Sequence, residues 1–168
     1  KAAYFEARPG EGYEALCTWP VEEHVAYEID KDLHRTGGGV QGEVLETLRR
    51  LLSAYAVRNP DIGYCQSMNF IGALLLLQLP EERAFWVFAA LVEDILPPDF
   101  YSQDMLGARA EQRVFQRVVQ LKCPKIDQHL TLIDASLEVS CYPWFLCLFV
   151  NTLPYQATLR VLDVIVHE

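Results

Sequence analysis

Two polar segments interrupt an otherwise apolar chain, and both carry residue types that can do chemistry. The first runs Ile29-Asp30-Lys31-Asp32-Leu33-His34-Arg35-Thr36. Asp32 and Arg35 are three residues apart, so within a helical turn they share a face and can pair. A carboxylate beside a guanidinium fixes the direction of the fork and leaves its other N–H donors free. Spacing alone favours an ordinary surface ion pair. The second segment runs Asn59-Pro60-Asp61-Ile62-Gly63-Tyr64-Cys65-Gln66-Ser67-Met68-Asn69-Phe70. Here a turn feeds straight into the most apolar helical stretch. Gln66 and Asn69 fall three apart at its N-terminus, where a pinned amide offers a donor and an acceptor on a rigid platform. A capping cluster, with Gln66 or Ser67 serving the helix's first N–H groups, explains the same pattern. The spacing leaves both readings open.

Other chemistries find little support. The histidines at 24, 34, 129 and 167 pair with no Cys or His at ligand spacing, and there is no HExxH, so no metal site is expected. Cys65 has no histidine placed by sequence as its partner and reads as a small packed thiol. Gly37-Gly38-Gly39 lacks the Lys-Ser/Thr of a phosphate loop and follows no strand. It reads as a flexible hinge.

The elements that must carry these residues are helical. Val44, Leu45, Leu48, Leu51, Leu52 and Tyr55 make one apolar stripe, with Glu46 and Arg50 outside it at pairing distance. Asn59-Pro60 ends that helix, because a residue before proline is pushed out of the α region. Met68 to Leu79 is apolar nearly all round and reads as a buried central helix. Pro80-Glu81-Glu82 opens the next helix, with a stripe of Phe85, Phe88, Val92 and Ile95 up to Pro97-Pro98. Val114, Phe115, Val118 and Val119 mark another helix, and Ile126, Leu130, Ile133 and Leu137 one more. Trp144 to Val150 is again apolar on all sides. Residues 155 to 167 form a last helix with a polar stripe of Arg160, Asp163 and His167. Residues 1 to 20 read as a loose or partly helical lead-in. Nothing alternates with a period of two for long, and no repeat is evident. The expectation is one all-α domain with short loops and room for two lobes.

Composition bounds the rest. With 168 residues, half of them apolar (51%), the chain can bury the core of a single domain. Lys+Arg 14 against Asp+Glu 23 gives 14 − 23 = −9, which argues against general binding to nucleic acid or anionic membrane. Five cysteines, an odd number without CxxC, point to reduced thiols in an intracellular protein. The stretch Phe70 to Leu79 is too short to span a bilayer, and no signal peptide is visible. A start at Lys1 reads as that of a piece of a longer protein.

Taken together, the two polar segments resemble the TBC domain, the GTPase-activating module for Rab GTPases. The family's IxxDxxR pattern appears as Ile29, Asp32 and Arg35, and its YxQ pattern as Tyr64 and Gln66. Glu82-Arg83-Ala84-Phe85-Trp86, Trp144-Phe145-Leu146-Cys147-Leu148-Phe149, Leu153-Pro154 and Leu159-Arg160-Val161-Leu162-Asp163 follow in the family's order. The resemblance is clear from about residue 27 to 168, with 1–26 a divergent lead-in to a single domain. It implies a two-finger mechanism in trans. Arg35 would be the arginine finger, Gln66 would orient the attacking water, Asp32 would hold Arg35, and Tyr64 would help position the glutamine loop. Ile29 and Asn69 would support them. The partner would be a Rab-type GTPase in its GTP state, and GTP and Mg²⁺ would belong to that partner, so no cofactor is expected here. No stand-alone enzyme activity is implied. The implied setting is cytoplasmic, peripheral at endomembranes through the partner or flanking domains. The runner-up is a TBC-like module that binds a partner without accelerating hydrolysis. Three departures bear on that choice. Arg35-Thr36 runs into Gly37-Gly38-Gly39 where the family has Thr-Phe-Pro, the early RxxWxxL pattern is missing, and the chain stops at Val166-His167-Glu168 where the family continues into further helices. The expectation is therefore a domain truncated at its C-terminal end.

Overall fold

The computed structural model describes residues 12–37 and 41–167. Among them there is no strand, and the fold is all-α as expected. The helices are α1 (Tyr13–Thr18), α2 (Glu23–Leu33), α3 (Glu43–Arg58), α4 (Met68–Leu76), α5 (Glu81–Ala90), α6 (Leu106–Lys122), α7 (Pro124–Leu132), α8 (Leu137–Leu146) and α9 (Tyr155–His167). A π-helical turn, Leu91–Ile95, continues α5. The chain divides into two compact units at Leu96/Pro97. No helix among the described residues is long and apolar enough to cross a membrane.

In the first unit α3 is the hub, packed on α1, α2, α4 and α5. Its stripe of Leu48, Leu51, Leu52 and Tyr55 is fully buried. Each such side chain contributes about 1.5–3 kcal/mol relative to exposure. Tyr55 meets Phe88 edge-on at 5.1 Å, and Phe85 sits between Tyr13 (4.7 Å) and Trp86 (4.9 Å). Helix α4 is buried almost all round, as its composition requires. It stops at Leu76 rather than Leu79; Leu77 caps it and is exposed. Arg50 does not pair with Glu46. It reaches across to Glu81 as a fork on both carboxylate oxygens, a geometry that a one-turn pair along a helix does not provide. That guanidinium holds the Glu81 carboxyl below its ordinary range, against a smaller opposing effect of burial. The apolar stripe of α5 continues to Val92, but Ile95 is exposed. The π turn, closed by Leu96 N–H on Leu91 O at 2.9 Å, shifts the register just there.

The second unit pairs α6 with α7 and α8. Phe115 contacts Trp144 and Phe145, and Tyr101 OH donates to Leu146 O at 2.6 Å. Val114 and Val118, expected on a buried stripe, are exposed, because α6 turns its Ala108, Gln112 and Phe115 side inward. The single helix expected over Ile126 to Leu137 is two. Asp134 takes a left-handed φ of 54°, and Ser136 caps a new helix by accepting from Val139 N–H at 3.3 Å. The apolar run to Val150 likewise leaves the helix after Leu146, with left-handed φ at Leu148 and Phe149.

Gly107, in the first turn of α6, is fixed by close approach. A Cβ there would lie 2.6 Å from Pro98 O and 2.8 Å from Phe100 N, both backbone. Gly107→Ala gains up to about 1 kcal/mol of helix propensity but forces backbone apart at about 1–3 kcal/mol or more. The expected net result is a lower unfolding midpoint; a raised midpoint in a urea titration would refute the packing.

Candidate functional site

The site lies in the first unit, where the end of α2 meets the turn before α4. The amphipathic α2 buries Ile29 and Asp32 on its inner side. Ile29 is a core residue, and Asp32 is a carboxylate placed where core residues belong. Its side chain is only 4% exposed, so it needs donors to offset lost hydration. It has two. Arg35 Nη2 donates to Oδ1, and Tyr64 OH donates to Oδ2 at 2.8 Å. One carboxylate therefore ties together the two polar segments singled out in the sequence. Burial first, and the bond to Asp32 second, push the Tyr64 phenol above its ordinary range, so it stays a proton donor. Arg35 keeps 54% of its side chain exposed. Its fork is aimed from a buried anchor, with donors left for an anion.

The backbone beyond Asp32 is held as firmly. Thr36 Oγ1 donates to Asp32 O at 3.0 Å, and Asn69 Nδ2 donates to Thr36 Oγ1 at 3.0 Å and to Asp32 O at 3.4 Å. Asn69 is thus a buried brace from α4 to the end of α2, and Thr36, present in the first polar segment but given no role by its spacing, joins the site. A hydroxyl directly after Arg35 was the only signal in the sequence. Of the glycine run, Gly37 has φ +55°; Gly38 and Gly39 lie outside the described residues.

Gln66 stands in the turn before α4, exposed, and its side chain has no hydrogen-bond partner among the described residues. Neither it nor Ser67 caps α4, so the capping explanation fails. Backbone fixes its position instead. Gly63, at φ +60°, turns the chain in a region that disfavours side chains. Cys65 N–H donates to Met68 Sδ at 3.3 Å, and Met68 N–H to Cys65 O at 3.1 Å. Ser67 is buried with φ 96°, a strained conformation for a residue with a Cβ and one that concentrates at functional turns. An open cleft of about 350 Å³ borders Gly63 and Tyr64, lined also by Trp19, Val25, Val57 and Ile62.

This is an exposed arginine and an exposed glutamine on two segments that share a buried acceptor, beside an open surface. Such a pair can offer a positive charge and a hydrogen-bonding amide to a ligand that meets this surface. The chain matches the Rab-GTPase-TBC domain family over residues 12–168, and it belongs to that family. It is 39% identical over 170 residues to a TBC domain-containing protein of Schizosaccharomyces pombe, covering 97% of this chain and 22% of that protein. It is 38% identical over 168 residues to TBC1 domain family member 2A of Ailuropoda melanoleuca, covering 95% of this chain and 18% of that one. The chain thus spans about a fifth of the length of these relatives. Among solved structures, the crystal structure of the Chlamydomonas flagellar RabGAP TBC domain superposes with a TM-score of 0.79 at 32% identity, covering 100% of this chain and 55% of that one.

Proposed function

We propose that this chain accelerates GTP hydrolysis by a Rab-family small GTPase in its GTP state, lending Arg35 and Gln66 to the partner's active site. The observation that carries the reading is the shared Asp32 carboxylate, which holds Arg35 on one side and Tyr64, two residues before Gln66, on the other. Phosphoryl transfer needs positioning and charge stabilisation more than a new nucleophile. Arg35 would stabilise charge developing on the transferred phosphoryl group. Gln66 would orient the attacking water. GTP and Mg²⁺ would come with the GTPase, and the chain would need no cofactor of its own. The setting that follows is vesicle trafficking at the cytoplasmic face of endomembranes. One feature favours the second reading, docking without acceleration: Arg35-Thr36 leads into Gly37-Gly38-Gly39, and a glycine-rich finger loop costs more entropy to order on binding.

Single-turnover GTP hydrolysis by a panel of Rab GTPases, with this chain and its Gln66→Ala variant, separates the two. Stimulation of at least one GTPase, reduced about 10²-fold in the variant as for loss of a water-orienting group, supports the two-finger reading. Tight binding to a GTP-loaded member with no stimulation supports the docking module.

A further inference from the structure

The Gln66 side chain has no hydrogen bond or ion pair among the described residues, so the path of the chain from Asn59 to Ser67 sets where it stands. Tyr64 anchors the middle of this turn and α4 its end. The start is anchored by a group of side chains that the site above does not use. Asn59 closes α3 and organises the turn that follows. Its backbone carbonyl accepts from Gly63 N–H at 2.8 Å, and its Oδ1 accepts from Ile62 N–H at 3.3 Å. Its Nδ2 points the other way, to Glu93 Oε1 at 3.4 Å and Tyr55 OH at 3.5 Å.

Glu93 is itself fixed. Arg58 grips both its oxygens, Nε to Oε1 at 3.1 Å and Nη2 to Oε2 at 2.9 Å. The two side chains are only 9% and 15% exposed, and the guanidinium lies 5.3 Å from the Trp86 ring centre. A desolvated ion pair is a poor source of stability compared with apolar residues of the same volume. The best-attested use of such a pair is registry. Glu93 also sits within the π-helical turn, where the altered register gives it an aim a regular helix would not.

We propose that Asn59, backed by the Glu93–Arg58 pair, is the positioning clamp for the Gln66 turn. The clamp joins the π turn after α5 to the start of the glutamine loop. It acts through that loop's backbone and touches neither substrate nor partner. Its role in hydrolysis rests on the function proposed above; its hold on the turn does not.

The test uses Asn59→Ala, which leaves the ion pair and its stacking on Trp86 in place, and Glu93→Gln, which keeps an acceptor for Asn59 while removing the charge. Amide hydrogen exchange reads the clamp without any GTPase. The amides of Gly63 and Met68, on either side of Gln66, are expected to exchange about tenfold faster in both variants, with the amides of α6 unchanged. Unchanged exchange at both positions in both variants overturns the proposal. With a responsive GTPase, Asn59→Ala is expected to lower the maximal stimulated rate about tenfold and leave the half-saturating concentration within about twofold. In a Gln66→Ala background the same substitution is expected to cost nothing further. A full additional loss in that background would show a general structural effect and overturn the clamp. If the wild-type chain stimulates no GTPase, the proposed function fails and the exchange measurement alone decides the clamp.

Discussion

Arg35→Ala is expected to abolish stimulated GTP hydrolysis while leaving the helical fold in place. The size follows from the role. A guanidinium supplied to the transferred phosphoryl group is worth about 10³–10⁵ in rate. The fold survives because the side chain is 54% exposed and its partner is Asp32. Its removal opens no hole in the core. It does leave a buried carboxylate with the Tyr64 hydroxyl as its remaining side-chain donor, a loss of about 1–3 kcal/mol within a total stability of about 5–15 kcal/mol. Circular dichroism should therefore be unchanged at 25 °C, with a modestly lower midpoint. Arg35→Lys sharpens the test, because it keeps the charge but loses the fork that faces Asp32 and an anion at once; it is expected to recover little activity. Stimulation that persists in Arg35→Ala removes the finger role.

Leu75→Asp has the opposite signature, loss of the fold. Leu75 is 3% exposed in α4, and α4 packs on both α3 and α5. Aspartate there trades a buried isobutyl group for a carboxylate with no partner provided. The lost burial costs about 2–5 kcal/mol, and an uncompensated polar group adds several more. The sum rivals the stability of an ordinary domain. The expected protein shows reduced helical signal and no cooperative thermal transition. A soluble variant with full helicity and an unchanged midpoint would remove α4 from the core.

The parts of this fold legible in the sequence are those decided by short-range patterns. The α3 stripe, the all-round apolar α4 and the stop at Asn59-Pro60 follow from periodicity and proline geometry, and the structure has all three. The elements that differ are settled by particular contacts. A left-handed Asp134 and a capping Ser136 split what periodicity joins into α7 and α8. Arg50 prefers a bidentate grip on Glu81 to its helical neighbour. The exposed side of α6 carries valines because its inner side is chosen by Phe115 and the aromatic residues of α8. In the site, the Asp32–Arg35 pair was readable from spacing, but the Tyr64 bond joins residues 32 apart in sequence. The Asn59–Glu93 bond joins residues 34 apart. No local pattern encodes such pairings, since they depend on how helices cross.

The shared acceptor at Asp32 also governs how errors in the site combine. Arg35 and Tyr64 are bonded to the two oxygens of one rigid carboxylate, so a tilt of α2 carries the arginine and the root of the glutamine turn in the same direction. A shared hydrogen-bond partner of this kind couples the displacement of one to that of the other. Under the proposed function, a GTPase that meets the pair slightly out of place would have a single rigid-body adjustment to make, where two unlinked side chains would require two.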